Sequence, residues 1–130
     1  MFSGSKIELS RSALRQNLDF IRGLIGEETR LSSVIKGNAY GHGICEMAVA
    51  LQNEGVNHFS VFNAEEAYQV HNFLREGDDI MIMGDVDGDA LKWAIEQEVE
   101  FFVFDPNRLH HAIQYASQIG KKAKIHLEVE

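Results

Sequence analysis

The sequence predicts an α/β fold in which a parallel sheet is covered by helices, and three observations carry that prediction. Apolar, β-rich runs recur five times, at 31–35 (LSSVI), 58–62 (HFSVF), 79–83 (DIMIM), 100–104 (EFFVF) and 124–129 (KIHLEV). Helical patterns of about ten to fifteen residues separate them, the signature of repeated βαβ units. The runs are nearly continuous in apolar residues, as in parallel strands buried on both faces.

The first helical pattern starts near Ser10, with Leu14, Leu18, Ile21 and Ile25 on one face and Gly26 where a helix should stop. A second runs from Gly43 through Met47, Ala48 and Leu51 to Gly55. The third is announced by the run Asn63 to Glu66. There the Asn63 side chain can accept from the open amides of the first turn and Glu66 can reach back, a variant of the capping box. Ala67, Val70 and Leu74 line its inner face before Gly77. The fourth begins near Asp89 and turns Leu91, Ala94 and Ile95 inward. The fifth opens with Asp105 as cap and Pro106, the only proline, at the first helical position, where a missing N–H costs nothing. Leu109, Ile113 and Ala116 continue its face to Gly120.

With 130 residues, 45% hydrophobic and 25% charged, the composition is that of one soluble globular unit. A domain of this size buries roughly 68% of the surface its unfolded chain exposes, enough for a core without staples. The formal charge of -8, with Lys and Arg scattered, offers no footprint for phosphate backbones or anionic lipid, so neither nucleic acid nor a membrane is an expected partner. No run approaches the roughly 18 apolar residues of a membrane span, and the opening MFSGSKIELS lacks a signal-peptide core, so the expected location is the cytoplasm. The single cysteine, Cys45, sits in a helical pattern and reads as a small buried hydrophobe. No linker, low-complexity segment or repeat beyond the βα alternation is visible.

Two closures of the sheet compete. An open doubly wound sheet can be completed in 130 residues, whereas an eight-stranded (β/α) barrel typically needs about 250. Length favours the open sheet. The chain nevertheless ends on an apolar strand, KIHLEVE, with no helix to cover it, and a bare parallel edge invites aggregation. That ending reads as an interruption.

In either closure, ligands bind at the carboxyl ends of the strands. Residues 34–43, VIKGNAYGHG, place Lys36 at such an end and follow it with a loop of small residues, Tyr40 and His42. Apolar surroundings disfavour the charged form of any lysine, and the neutral amine is the form that attacks a carbonyl. Small residues let a backbone pass close to a flat ring, and Tyr40 offers a hydroxyl and an aromatic face. This suits an aldehyde cofactor carrying a phosphate. The plainer reading is a solvated charge before a turn that needs glycine. A nucleotide P-loop fits less well, since no Gly-Lys-Ser/Thr follows.

VIKGNAYGHG resembles the pyridoxal-phosphate attachment motif of the alanine racemase family, with Lys36, Asn38, Tyr40 and the triplet Gly41-His42-Gly43 in register. IELSRSALRQNL is similar to the family's opening, and FSVFNAEEA resembles its second βα unit. The resemblance runs through all 130 residues, and the lysine motif is its most specific part. It implies an N-terminal (β/α)8 barrel of TIM type, present here as residues 1–130 with about five strands, followed by a β-rich C-terminal domain that is absent, with KIELS a strand pairing with that domain. It further implies a homodimer that interconverts L-alanine and D-alanine, the D-alanine serving cell-wall synthesis, with pyridoxal 5'-phosphate as cofactor and no metal. Lys36 would hold the cofactor covalently and then serve as one of two bases at the substrate's α-carbon. Tyr40 would contact the cofactor near its phosphate. The second base, in the family a tyrosine from the C-terminal domain of the other subunit, lies outside this chain, as do the phosphate cradle and the arginine near the ring nitrogen. The fragment alone is therefore expected to be inactive.

Three departures stand out. Where the family's fifth strand commonly carries a lysine modified to a carbamate, this sequence has Glu128, which keeps the anionic charge with a shorter reach or simply faces solvent. Gly37 stands where alanine is more usual, and Phe62 where smaller residues are frequent, so substrate preference is less fixed than reaction type. The alternatives are a racemase of a different amino acid or a non-catalytic pyridoxal-phosphate module. A third reading, an open-sheet signalling domain, lacks convincingly placed acids at the strand ends.

Weaker constellations read as structural. DVDGDA from Asp85 imitates a calcium loop, but its sixth place is Ala90 instead of glycine, so it reads as a helix-capping loop. The adjacent His110 and His111 point about 100 degrees apart on a helix and do not easily share a metal. His42 is expected to bond to loop backbone.

Overall fold

Among the described residues five parallel strands form one sheet in strictly sequential order: β1 (Ser33–Val34), β2 (His58–Val61), β3 (Asp79–Ile82), β4 (Glu100–Val103) and β5 (Ile125–Leu127). The computed structural model describes residues 4–129; Met1–Ser3, at the opening that lacks a signal-peptide core, and Glu130 lie outside the described residues. Strand order decides between the two closures left open by the sequence. A doubly wound sheet reverses its order at a switch point, and here each strand pairs only with its neighbours in sequence. The chain is the leading part of a (β/α) barrel, winding in one direction, and the shorter open-sheet solution is set aside.

Between the strands run α1 (Arg11–Ile25), the short segment α2 (Lys36–Tyr40), α3 (Ile44–Asn53), α4 (Ala64–His71), α5 (Gly88–Glu96) and α6 (Pro106–Ile119). Their starts are set by the residues the sequence nominated. The Ser10 hydroxyl accepts from Ala13 N at 3.3 Å, Asn63 Oδ1 from Glu66 N at 2.9 Å, and Asp105 Oδ1 from Asn107 N and Arg108 N at 2.9 and 3.0 Å. Each fills first-turn amides that have no intrahelical partner. The fourth pattern is capped by Asp87, whose carboxylate takes Gly88 N at 2.8 Å.

Two segments depart from expectation. The third pattern stops at His71, short of Gly77. Gln52, buried on α3, donates to the Phe73 carbonyl at 2.8 Å and to Asp78 Oδ2 at 2.7 Å, and so holds residues 73–78 in a separate turn. The strand expected at KIELS does not form: residues 5–10 are irregular and Ile7 is 70% exposed, with no described strand beside it to complete a ladder.

Alternation along the strands separates two layers. Phe59, Val61, Ile80, Ile82, Phe101 and Val103 are buried against the helices. They meet Leu18, Leu51, Ala67, Val70, Leu91 and Ala112 from the helical side. Burying a side chain of this size stabilises by about 1.5–3 kcal/mol, so this layer holds the sheet to its helices. The other face carries polar groups near the amino ends of the strands. Glu100 Oε2 accepts from His126 Nε2 at 2.6 Å and from His58 Nε2 at 3.2 Å. His58 Nδ1 meets the Ser32 hydroxyl at 2.7 Å, and that hydroxyl meets Ser60 at 2.6 Å. Burial pushes the Glu100 carboxyl up, but the bonds from His126 and His58 outweigh it and hold the group below its ordinary value. The acids of DVDGDA go to separate partners: Asp85 pairs with Arg108, Asp87 caps α5 and meets His111 at 3.1 Å, and Asp89 meets Lys92 at 3.0 Å. No helix of the described residues is long and apolar enough to cross a membrane.

Beyond its packing through Leu18, the amino-terminal helix is tied to the barrel by the Glu54 carboxylate. Arg11 Nε and Arg15 Nε, one turn apart on α1, both reach Glu54 at the end of α3 at 2.7 Å. The hydrogen bonds from Arg15 and Arg11 hold the Glu54 carboxyl down at about 2. A carboxyl whose folded value is depressed stabilises the fold above its unfolded value and loses that contribution as pH falls through the folded one. Glu54→Gln is therefore expected to lower the urea midpoint at pH 7 and to make the stability curve flatter between about pH 4.5 and 2 than in the parent chain. In the core, Phe101→Ala at a side chain with no exposure should cost about 3–5 kcal/mol in the same urea titration.

Candidate active site

The first strand ends in a turn of unusual hand. The sheet ladder continues one residue past β1, where Ile35 N donates to Ser60 O at 2.9 Å, and Ile35 is buried under the helices at 2% exposure. Lys36 follows at the carboxyl end of the strand, as the first residue of α2. From there the backbone turns left-handed: Gly37, Asn38, Ala39 and Tyr40 have φ of 62, 54, 53 and 56°. Ala39 N donates to Ile35 O at 2.8 Å and Gly41 N to Gly37 O at 3.2 Å, the spacing of an α-helical turn wound in the mirror sense.

L-residues resist this conformation by about 1–2 kcal/mol each. The local sequence answers it residue by residue. Asn38 belongs to the type that tolerates the left-handed region, and its side chain caps the next helix, accepting from Ile44 N at 2.9 Å. Ala39 has only a methyl group to place and buries it, at 4% exposure. Gly41 and Gly43 leave the turn at φ of 90 and 94°, where any side chain is strained. His42 Nδ1–H donates to Ala39 O at 2.8 Å, the backbone bond expected for it. The small residues of the motif thus serve the backbone's own geometry first.

The two residues singled out by the sequence stand at the two ends of this turn. Lys36 is half-buried, and among the described residues its Nζ has no hydrogen bond or ion pair. Tyr40 is 65% exposed and its hydroxyl has no partner among the described residues. A primary amine that no carboxylate claims, on the strand end where βα loops gather, has the chemistry needed to condense with a carbonyl. The Tyr40 hydroxyl can donate to a phosphate. These residues fit an aldehyde cofactor; among the described residues no cluster of His, Cys, Asp or Glu fits a metal ion. Glu128 lies just past β5, exposed, with its backbone N–H on Val103 O at 3.0 Å.

One participant escaped sequence reasoning. Glu66 does not return to its own cap residue. Its Oε2 accepts from Phe62 N at 2.8 Å and its Oε1 from Gly37 N at 2.6 Å, the peptide next to Lys36. The capping pattern signalled that Glu66 would seek a backbone amide, but nothing local signals a partner 29 residues away on the neighbouring strand.

With this geometry in view, the comparisons with known proteins fall into place. The family model described as alanine racemase, N-terminal domain, matches residues 9–130. The chain belongs to that family. Alanine racemase 2 of Caldanaerobacter subterraneus subsp. tengcongensis is 30% identical over 126 residues, covering 97% of this chain and 32% of that protein. An amino-acid racemase of Enterococcus faecalis is 37% identical over 83 residues, 64% of this chain and 12% of that protein. The alanine racemase of Clostridium difficile 630 in complex with cycloserine superposes with a TM-score of 0.81 at 28% identity, over 91% of this chain and 31% of that one. The chain spans about a third of the length of the curated alanine racemases it matches. Its alanine racemase-type fold is thus the leading part of a barrel, in agreement with the strand order.

The left-handed turn makes a stability prediction. Asn38→Ala removes the side-chain acceptor of Ile44 N and should cost about 0.5–2 kcal/mol in urea unfolding, the range for a lost helix cap. An unchanged midpoint would show that Asn38 does not hold the start of α3.

Proposed function

We propose that the protein carrying this chain is a pyridoxal-phosphate-dependent racemase of a small amino acid, with L-alanine and D-alanine as the favoured pair, and that residues 1–130 supply the cofactor lysine and the first five strands of its barrel. The observation that carries the reading is the unclaimed amine of Lys36, a half-buried residue at the carboxyl end of β1 from which the left-handed turn starts. The family membership supports it.

The bound cofactor supplies a ring that accepts the electrons left when the substrate's α-proton departs. Lys36 would hold that cofactor through Nζ, and its amine would remove or return a proton at the substrate's α-carbon from one face. Tyr40, at the far end of the same turn, would offer its hydroxyl to the phosphate. Racemisation also needs a proton carrier on the opposite face, which we assign to the C-terminal domain of a partner subunit in a homodimer. The protein works in the cytoplasm on this reading, with neither nucleic acid nor membrane as partner.

A second reading changes the substrate only. The similarity to an amino-acid racemase of Enterococcus faecalis, together with Phe62, 54% exposed at the end of β2, favours a mouth that takes a side chain other than a methyl group. Comparing turnover of alanine with that of larger amino acids separates the two.

The test begins with the chemistry of one residue. Pyridoxal phosphate added to the chain and fixed with borohydride should leave its label on Lys36, and Lys36→Ala should retain only scattered label. In the full-length protein the same substitution should lower kcat by about 10²–10⁴-fold or more, the range for loss of a positioned base. Label spread evenly over the lysines of the parent chain, with none favouring Lys36, contradicts the reading.

A further inference from the structure

We propose that Glu66 is the positioning residue of the cofactor lysine, a clamp that fixes the Lys36 backbone from the neighbouring βα unit; this rests on the reading of Lys36 given above. The left-handed turn begins with amides that its own hydrogen-bond pattern leaves open, because the first N–H with a partner inside the turn is that of Ala39. The Gly37 amide is one of these, and Glu66 Oε1 takes it at 2.6 Å. The other carboxylate oxygen takes Phe62 N at 2.8 Å. Phe62 is itself held from the far side, since Gly84 N donates to Phe62 O at 2.8 Å. A Cβ at Gly84 would lie 2.5 Å from that same oxygen, so the third strand can approach only as glycine. Hydrogen bonds therefore run without a break across the carboxyl ends of β3, β2 and β1, from Gly84 through Phe62 and Glu66 to the peptide adjoining Lys36.

Two features show that the carboxylate suits this place. Glu66 lies in the first turn of α4, where the helix dipole favours negative charge. Both acceptor oxygens are used, so a glutamine, with one acceptor and one donor, leaves an amide facing an NH2 group. The benefit is to geometry. Reacting groups must be held within about 0.5 Å and 10–20° of the productive arrangement, by neighbours that are themselves fixed. The lysine side chain is long, and its root is the part that the protein can fix.

The test uses three measurements on this chain. In the wild type, the amide signals of Gly37 and Phe62 should move together with the Glu66 carboxyl in an acid titration followed by NMR. A Gly37 amide indifferent to that carboxyl overturns the clamp, and no variant is needed to see it. Next, Glu66→Gln should slow borohydride-trapped labelling of Lys36 by tenfold or more while labelling of Lys6, Lys92, Lys121, Lys122 and Lys124 stays within twofold. Asn63→Ala, which removes the cap of the same helix without touching Gly37, should lower thermal stability yet label Lys36 at the wild-type rate. If Glu66→Gln labels Lys36 within twofold of wild type, or if Asn63→Ala slows it equally, Glu66 is only a helix-capping residue and the proposal fails. A wild-type chain that takes no label at Lys36 is a different result: it overturns the cofactor reading itself, whatever the amide titration shows.

Discussion

The turn after Lys36 winds against the hand that L-residues prefer, and the mouth of the sheet is arranged around holding it there. Three of its residues carry side chains, and each resists the left-handed region by about 1–2 kcal/mol. Against this stand backbone bonds to Ile35 O, Gly37 O and Asn38 O, the Asn38 cap on Ile44 N and the His42 bond to Ala39 O. Each contributes about 0.5–1.5 kcal/mol net, so the two sides are of comparable size. The turn is thus the joint product of the VIKGNAYGHG residues, with little left over. A conformation so closely balanced persists only where its surroundings over-determine it, which is the pattern of backbone strain at functional sites.

The two ends of the sheet divide the work. At the amino ends of the strands, His58, Glu100 and His126 satisfy one another across β2, β4 and β5, and the arginine pair on α1 grips Glu54. These contacts lie on the barrel's stability face. At the carboxyl ends, Lys36 Nζ and the Tyr40 hydroxyl are left without partners among the described residues, while the backbone beneath them is bonded nearly group by group. Rigid backbone with unspent side-chain chemistry is what a covalent attachment point requires. The helix-facing layer of Phe59, Ile80, Ile82 and Phe101 supplies the platform on which both ends rest.

Most of the fold was legible because it is written in local signals. Ser10, Asn63 and Asp105 announce helices through side chains that can reach only their own first turn, and the five apolar runs fall within a residue or two of the strands. What escaped depends on partners distant in sequence. The early end of α4 follows from Gln52 taking the Phe73 carbonyl, and no window around residue 73 contains Gln52. Length alone left closure of the sheet open, the uncovered last strand and the resemblance pointed to a barrel, and strand order, a property of pairing that composition does not encode, agrees with them. In the site, Lys36 was singled out from its place at a strand end and the backbone bond of His42 was legible from its place in the loop, yet the hand of the turn went unread. The glycines at 41 and 43 were taken as room for a ring, when their φ of 90 and 94° shows that the backbone needs them first.

A crystal structure of the full-length protein grown with pyridoxal phosphate tests the central claim most directly. The account predicts continuous electron density from Lys36 Nζ to the cofactor, with residues 37–40 still left-handed beneath it. Density that joins the cofactor to another lysine, or a turn that rewinds to the right-handed form while the lysine points into solvent, would contradict it.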